Sequence, residues 1–246
     1  MAKTIKLDKS NKINNLYFKI SNKNEINLFM MTLTEENYLK AMFHLSAESE
    51  DVSVLDLSRN LAIKMPTVNS MVKKLAAKGL VMYEKYKPLM LTLEGKKAAG
   101  LIIRKHRLVE MFLVQKMGFG WDQVHEIAEQ IEHIKSQSFF DRIDELLDFP
   151  KVDPHGSPIP DKFGEVLHQN YVKLEGCLLS QKVVFMAVDT SQDSFLKLID
   201  KLNLKLGDSI RVLDIQEFDK SMKVLVNDTF EIILSQMVAS NILVKG

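Results

Sequence analysis

The chain has 246 residues, with 33 Lys and Arg against 32 Asp and Glu, 46% hydrophobic residues and a single cysteine. Wholesale disorder and a fibrous repeat are excluded by that composition, and the length fits two or three domains. One cysteine cannot close an internal disulfide, so a secreted stapled scaffold is excluded and a cytoplasmic location is expected; no run nears the roughly 18 apolar residues that span a bilayer, so no membrane partner is expected.

Residues 1–30 carry Lys3, Lys6, Lys9, Lys12, Lys19 and Lys23 against Asp8 and Glu25, with no apolar core of the kind a signal peptide needs. They read as a disordered basic extension, or as a reading frame extended upstream of a start at Met30 or Met31. From Thr34 the pattern is helical, with Glu35 and Glu36 in the first turn and Tyr38, Leu39, Met42, Phe43 and Leu45 inward. A second helix fits Val54 to Leu61, burying Leu55, Leu57 and Leu61. A third starts near Pro66, buries Val68, Met71, Val72 and Leu75, and stops at Gly79. Two β-like stretches, 80–83 and 89–93, flank a lysine-rich turn. Residues 31–98 therefore have the layout of a winged helix-turn-helix.

Helices are expected at 104–116, 121–135 and 139–147, making 99–167 a helical domain that ends in a proline-rich segment from Pro150 to Pro160. After it the texture changes to short strands at 183–188, 209–215, 223–226 and 229–234 with one helix at 194–201. A small β-rich domain is placed at 175–246, so the whole is mainly α with a β wing and a β-rich third domain.

Two constellations carry chemistry. The first is basic: eight lysines lie between 64 and 97 against Glu84 and Glu94 alone, in a chain of formal charge +1. The second helix of a helix-turn-helix presents its start to the major groove, and here that start is Lys64, Pro66, Thr67, Asn69 and Ser70. Lys73 on the same helix, with Lys85 and Lys87 on the wing, would lie along phosphates. A solvated face of a protein-binding winged helix is the competing explanation; the polar helix start and basic wing together favour double-stranded DNA. The second constellation is His125, Glu129, Glu132 and His133 at i, i+4, i+7 and i+8, one arc of a helix, with His106 and Glu110 at i, i+4 on the helix before it. Imidazole and carboxylate groups at that spacing suit a divalent metal, and Glu129 and Glu132 repel unless a cation lies between them. The spacing alone fits a solvated polar face equally well. A zinc hydrolase wants histidines at i and i+4, whereas His125 is followed at that position by Glu129, so no enzyme is expected. A regulator answering an organic ligand is the other alternative. Trp121 reads as a core anchor, and His155 as a residue fixing its turn; Cys177 reads as a buried or surface thiol without a role, and His44 and His168 have no partner at metal-ligand spacing.

The segments LTEENYLKAMFHL, MPTVNSMVKKLAAKGLV, YEKYKPLMLTLEGKKAA, RKHRLVEMFL, VHEIAEQIEH and DPHGSPIP, in that order, resemble the diphtheria toxin repressor and manganese transport regulator family of metal-dependent repressors. The resemblance implies a homodimer formed through the helical domain, an SH3-like third domain, and control of metal-uptake genes. It matches His106, Glu110 and His125 to one metal site and Glu129, Glu132 and His133 to another, with as many as two ions per subunit. Glutamate at 129, where iron-type members have cysteine, makes the donors all oxygen and nitrogen and suits Mn(II) or Fe(II). The first-helix ligand, an aspartate or methionine in the family, is matched by Asn37, with Glu36 beside it as the alternative, and Lys40 stands where shorter members have a glutamate. Third-domain ligands lack a clean match; Asp189, Gln192 and Asp193 are the nearby polar residues.

Overall fold

The computed structural model describes residues 31–48, 51–167 and 169–246; the basic stretch 1–30 and His168 lie outside the described residues. Two compact units meet between Ile102 and Ile103.

The first unit holds three helices and a two-stranded wing. Helix α1 (Leu33–Glu48) begins one residue before the position that the sequence suggests. Its cap is Thr32, whose Oγ1 accepts from the Glu35 N–H at 3.3 Å while the Glu35 carboxylate accepts from the Thr32 N–H at 2.9 Å. Threonine and glutamate three apart form this reciprocal box, whereas Thr34 has an asparagine at the corresponding place. Helix α2 (Val54–Asn60) is capped likewise by Ser53 and Asp56, and α3 (Met65–Ala77) starts with Pro66 and ends at Gly79, whose φ of +75° suits a residue without Cβ. Tyr38, Leu39, Met42, Leu57, Val68, Val72, Leu75, Leu80, Leu89 and Leu91 form one core. Leu55, expected inward, is exposed: residues two apart on a helix point about 200° away from each other, and Leu57 takes the core. Strands β1 (Val81–Met82) and β2 (Met90–Leu91) pair antiparallel as the wing.

Helix α4 (Leu93–Met117) is eleven residues longer at its start than the apolar pattern suggests, because Thr92 Oγ1 accepts from the Gly95 N–H at 3.0 Å and initiates it at the end of the wing. Helix α5 (His125–Ile131) is shorter than expected, with Glu132 as its C-cap and His133 in the turn beyond; α6 (Gln137–Leu146) follows, capped by Ser136. Leu108, Val109, Leu113, Val124, Ala128, Phe140 and Ile143 pack these helices together.

The remainder of this unit is an antiparallel sheet of β3 (Val172–Lys173), β4 (Lys182–Val188), β5 (Ser209–Ile215), β6 (Met222–Val226), β7 (Phe230–Leu234) and β8 (Ile242–Lys245), in the order β3-β8-β4-β5-β6-β7. Helix α7 (Asp193–Lys201) adds Leu196 and Ile199 to its core. The β4–β8 register slips between Phe185 and Ala187. There Gly156, at φ +86°, passes so close that a Cβ would stand 2.1 Å from the Met186 carbonyl oxygen. Gly156→Ala combines a left-handed backbone with a backbone clash, each the kind of strain worth about 1–3 kcal/mol. It should lower the urea midpoint by the equivalent of at least about 2 kcal/mol.

Candidate functional site

His106 lies at the middle of a buried polar cluster on α4. Its Nδ1 is 2.5 Å from Glu132 Oε2 and its Nε2 is 3.0 Å from Glu110 Oε1 and 3.2 Å from His125 Nδ1. His125 Nδ1 is also 3.3 Å from Glu110 Oε1, and its Nε2 is 3.6 Å from Glu129 Oε1. Helix geometry accounts for the first pair, since positions 106 and 110 share one face of α4. Residues 125, 129 and 132 come from the facing helix and its cap. The turn that ends α5 at Ile131 puts His133 Nε2 3.6 Å from Glu132 Oε1.

Glu110 is 2% exposed and Glu132 is fully buried. Carboxylates there must be compensated, because an unpaired buried charge costs several kcal/mol. Burial alone would lower the His106 pKa, but hydrogen bonds and charge from Glu110 and Glu132 raise it to about 9. Burial pushes the Glu110 carboxyl up, and His106 and His125 outweigh this and hold it far below the ordinary range. Without a metal, His106 is therefore an imidazolium donating to carboxylates on both sides.

Asp153 and His155, from the proline-rich segment, join this cluster. The sequence expectation for His155 is only a turn-fixing role, and for Asp153 there is none. His155 Nδ1 is 3.8 Å from Glu110 Oε2, and all three residues are buried. His155 Nε2 lies 2.9 Å from the Trp121 carbonyl oxygen. A carbonyl only accepts, so this nitrogen carries a proton, and Nδ1 is the ring nitrogen that faces the carboxylate. Asp153 Oδ1 accepts from the backbone N–H groups of His155 and Ser157 at 2.8 and 2.9 Å, and Oδ2 faces Arg107 Nε at 3.4 Å. Burial and the Glu110 charge raise the Asp153 pKa against the pull of Arg107.

Three groups can each bring one donor atom per residue to within 4.8 Å of one another: His106, Glu110 and His125; His106, Glu129 and Glu132; and Glu110, Asp153 and His155. His133 stands beside the second through Glu132. The donors are oxygens and imidazole nitrogens, with excess buried negative charge, which fits a hard or borderline dication and leaves no soft thiolate. Asn37, in the other unit, has a buried Oδ1 that accepts no hydrogen bond among the described residues. Asp189 is exposed and paired with Lys173 at 3.0 Å, and Asp193 is exposed 3.9 Å from Lys197.

On the first unit, Lys64, Pro66, Thr67, Ser70, Lys73, Lys85 and Lys87 are exposed, whereas Asn69 is half-buried and its Oδ1 accepts from the Tyr83 hydroxyl at 3.0 Å. Lys85 lies over the Tyr86 ring, 4.7 Å from its centroid, and Lys87 pairs with Glu84. Lys74 and Lys78, part of the basic count, point to the buried Glu35 carboxylate at 3.2 and 2.7 Å. Burial raises the Glu35 pKa, but Lys78, the Thr32 N–H and Lys74 together bring it to about 2.

Comparison with known proteins fits this arrangement. Residues 30–89 match the model of the iron dependent repressor N-terminal DNA binding domain, residues 92–161 that of the iron dependent repressor metal binding and dimerisation domain, and residues 172–246 that of the FeoA domain. The chain is 33% identical over 127 residues to the iron-dependent repressor IdeR of Mycobacterium leprae, covering 52% of this chain and 55% of that protein, so it spans about half the length of this relative. It is 33% identical over 124 residues to the HTH-type transcriptional regulator MntR of Bacillus subtilis, covering 50% of this chain and 87% of that protein. A solved manganese-dependent transcriptional repressor in complex with manganese superposes with a TM-score of 0.77 at 31% identity, covering 85% of this chain and 98% of that one. The first two matches are to iron dependent repressor domains and the third lies on the β-rich SH3-like domain, and the chain belongs to the family of iron- and manganese-dependent transcriptional repressors represented by IdeR, MntR and the diphtheria toxin repressor.

Proposed function

We propose that this protein is a cytoplasmic, homodimeric repressor that binds operator DNA when loaded with Mn(II) or Fe(II) and so controls genes of metal uptake. The observation that carries the reading is Glu110: one buried carboxylate offers Oε1 to His106 and His125 and Oε2 to His155. Two ions per subunit fit the donors, one held by Glu110 with histidines and Asp153, the other by Glu129, Glu132 and His133. A bound dication supplies the positive charge that the buried carboxylates lack. His106 gives up a proton in exchange, so uptake releases protons. Residues 31–98 are assigned to DNA binding, 99–167 to metal and dimer contacts, and 175–246 to the third domain. Phe139, Leu146 and Phe149, apolar and exposed around α6, supply surface for a second copy.

A metal that prefers the DNA-competent conformation shifts the population by the difference in its two affinities, and DNA tightens metal binding by the same factor. Fluorescence anisotropy of labelled operator DNA, titrated with Mn(II), Fe(II) and Zn(II) with and without chelator, tests this. Metal-dependent binding is expected, and an affinity indifferent to metal overturns the proposal. Thermal unfolding gives an independent check: free Mn(II) at 100 times its dissociation constant should stabilise by about 2.7 kcal/mol per site, reversed by chelator.

A further inference from the structure

Trp121, the sole tryptophan, touches both the His155 turn and the third domain. Its carbonyl oxygen accepts from His155 Nε2, and its indole stacks beside the imidazole with centroids 5.8 Å apart and planes 16° from parallel. The other edge of the indole donates Nε1–H to Asp200 Oδ2 on α7 at 3.1 Å, and Lys197 on the same helix faces Asp122 at 3.7 Å. The His155 main chain is tied to the third domain too: the Val188 N–H donates to its carbonyl at 2.9 Å, and Gly156 abuts Met186 and Ala187. One small turn thus carries a buried imidazole whose ring is fixed by Trp121 and whose backbone is fixed by β4.

We propose that Trp121 is the positioning residue for His155 and ties its orientation to docking of the third domain through Asp200, so that ion binding and docking reinforce each other. This rests on the reading of Glu110, Asp153 and His155 as metal donors. The physical basis is that a ligating imidazole needs its second nitrogen and its ring plane held, and such outer partners are worth about 10–100-fold in metal affinity. Both holds come here from one residue, itself anchored on α7. Reciprocity then requires that an ion on His155 shifts the docking equilibrium of β4 toward the docked form by the factor by which docking tightens the ion.

The test uses the full-length protein with Trp121→Phe, which keeps a ring but loses the Nε1 donor, Asp200→Ala, and the double variant. Manganese dissociation constants come from the electron paramagnetic resonance of free Mn(II), and docking from hydrogen exchange of the Val188 amide in the metal-free protein. Each single variant should weaken one Mn(II) site about tenfold, leave the other unchanged and speed Val188 exchange; the double variant should be no worse than either single one. In the parent protein Mn(II) should slow Val188 exchange. Wild-type binding by both single variants, or additive losses in the double, overturns the relay. His155→Ala, or His155→Gln should the first not fold, separates this from the underlying reading: if it binds both ions as tightly as the parent, His155 is no donor and the metal assignment itself fails.

Discussion

Glutamine at position 110 should weaken Mn(II) binding by more than about 100-fold, because losing an outer-shell partner alone costs 10–100-fold and Glu110 is a direct, charged donor. Its two oxygens face different histidines, so the amide removes half of one donor pair and all of the shared charge. Glu129→Ala gives the contrast: Glu129 is partly exposed and belongs only to the group with His106 and Glu132, so one site should weaken while the other keeps its affinity. The metal-free fold should tolerate Glu110→Gln, since the amide oxygen still accepts from His106 and the charge that adds to burial in raising the Asp153 pKa disappears. Isothermal titration of metal-free protein with Mn(II), alongside a thermal melt, reads both effects. Binding within a factor of three of the parent by Glu110→Gln would remove this carboxylate from the centre and with it the proposed function.

Much of this architecture is legible along the chain because it is local. Pro66 and Gly79 bracket α3, and the spacing of His106 with Glu110 and of His125 with Glu129 is a property of single helices. The periodicity could not tell whether that polar stripe faced water or protein, since both environments permit the same residues; the packing of α4 against α5 decides it by burying Glu132 completely. Asp153 and His155 were not legible by spacing at all. They stand more than forty residues from Glu110, in a turn whose shape comes from prolines, from Asp153 accepting two N–H groups and from Gly156 against β4. The DPHGSPIP segment was visible as a motif, but its chemistry exists only in three dimensions. Nor do all the lysines between 64 and 97 belong to one surface, since Lys74 and Lys78 reach a buried carboxylate.

The lysines of this region should therefore differ in what their loss does, according to what each touches. Among the described residues no ion pair involves Lys64, Lys73 or Lys85, and all three are exposed near the start of α3, along it and on the wing. Each phosphate that such a lysine neutralises releases counterions and adds about 0.9 to the slope of log affinity against log salt. In the proposed dimer the triple alanine variant removes six lysines, so it should lose about 5.4 from that slope and bind operator and unrelated DNA more weakly by a similar factor, with an unchanged melt. Lys74 and Lys78 should do the opposite. Their ammonium groups compensate Glu35, which is fully buried and caps α1, so replacing both strands a carboxylate whose pKa of about 2 depends on them. Breaking a buried pair from one side costs about 3–5 kcal/mol, and partial exposure of these lysines places the loss at or below the low end of that range. The double alanine variant should melt early yet, at temperatures where it is folded, keep the parent's salt slope. Equal loss of slope in the two variants would mean that the whole basic face, Glu35-bound lysines included, lies against phosphate.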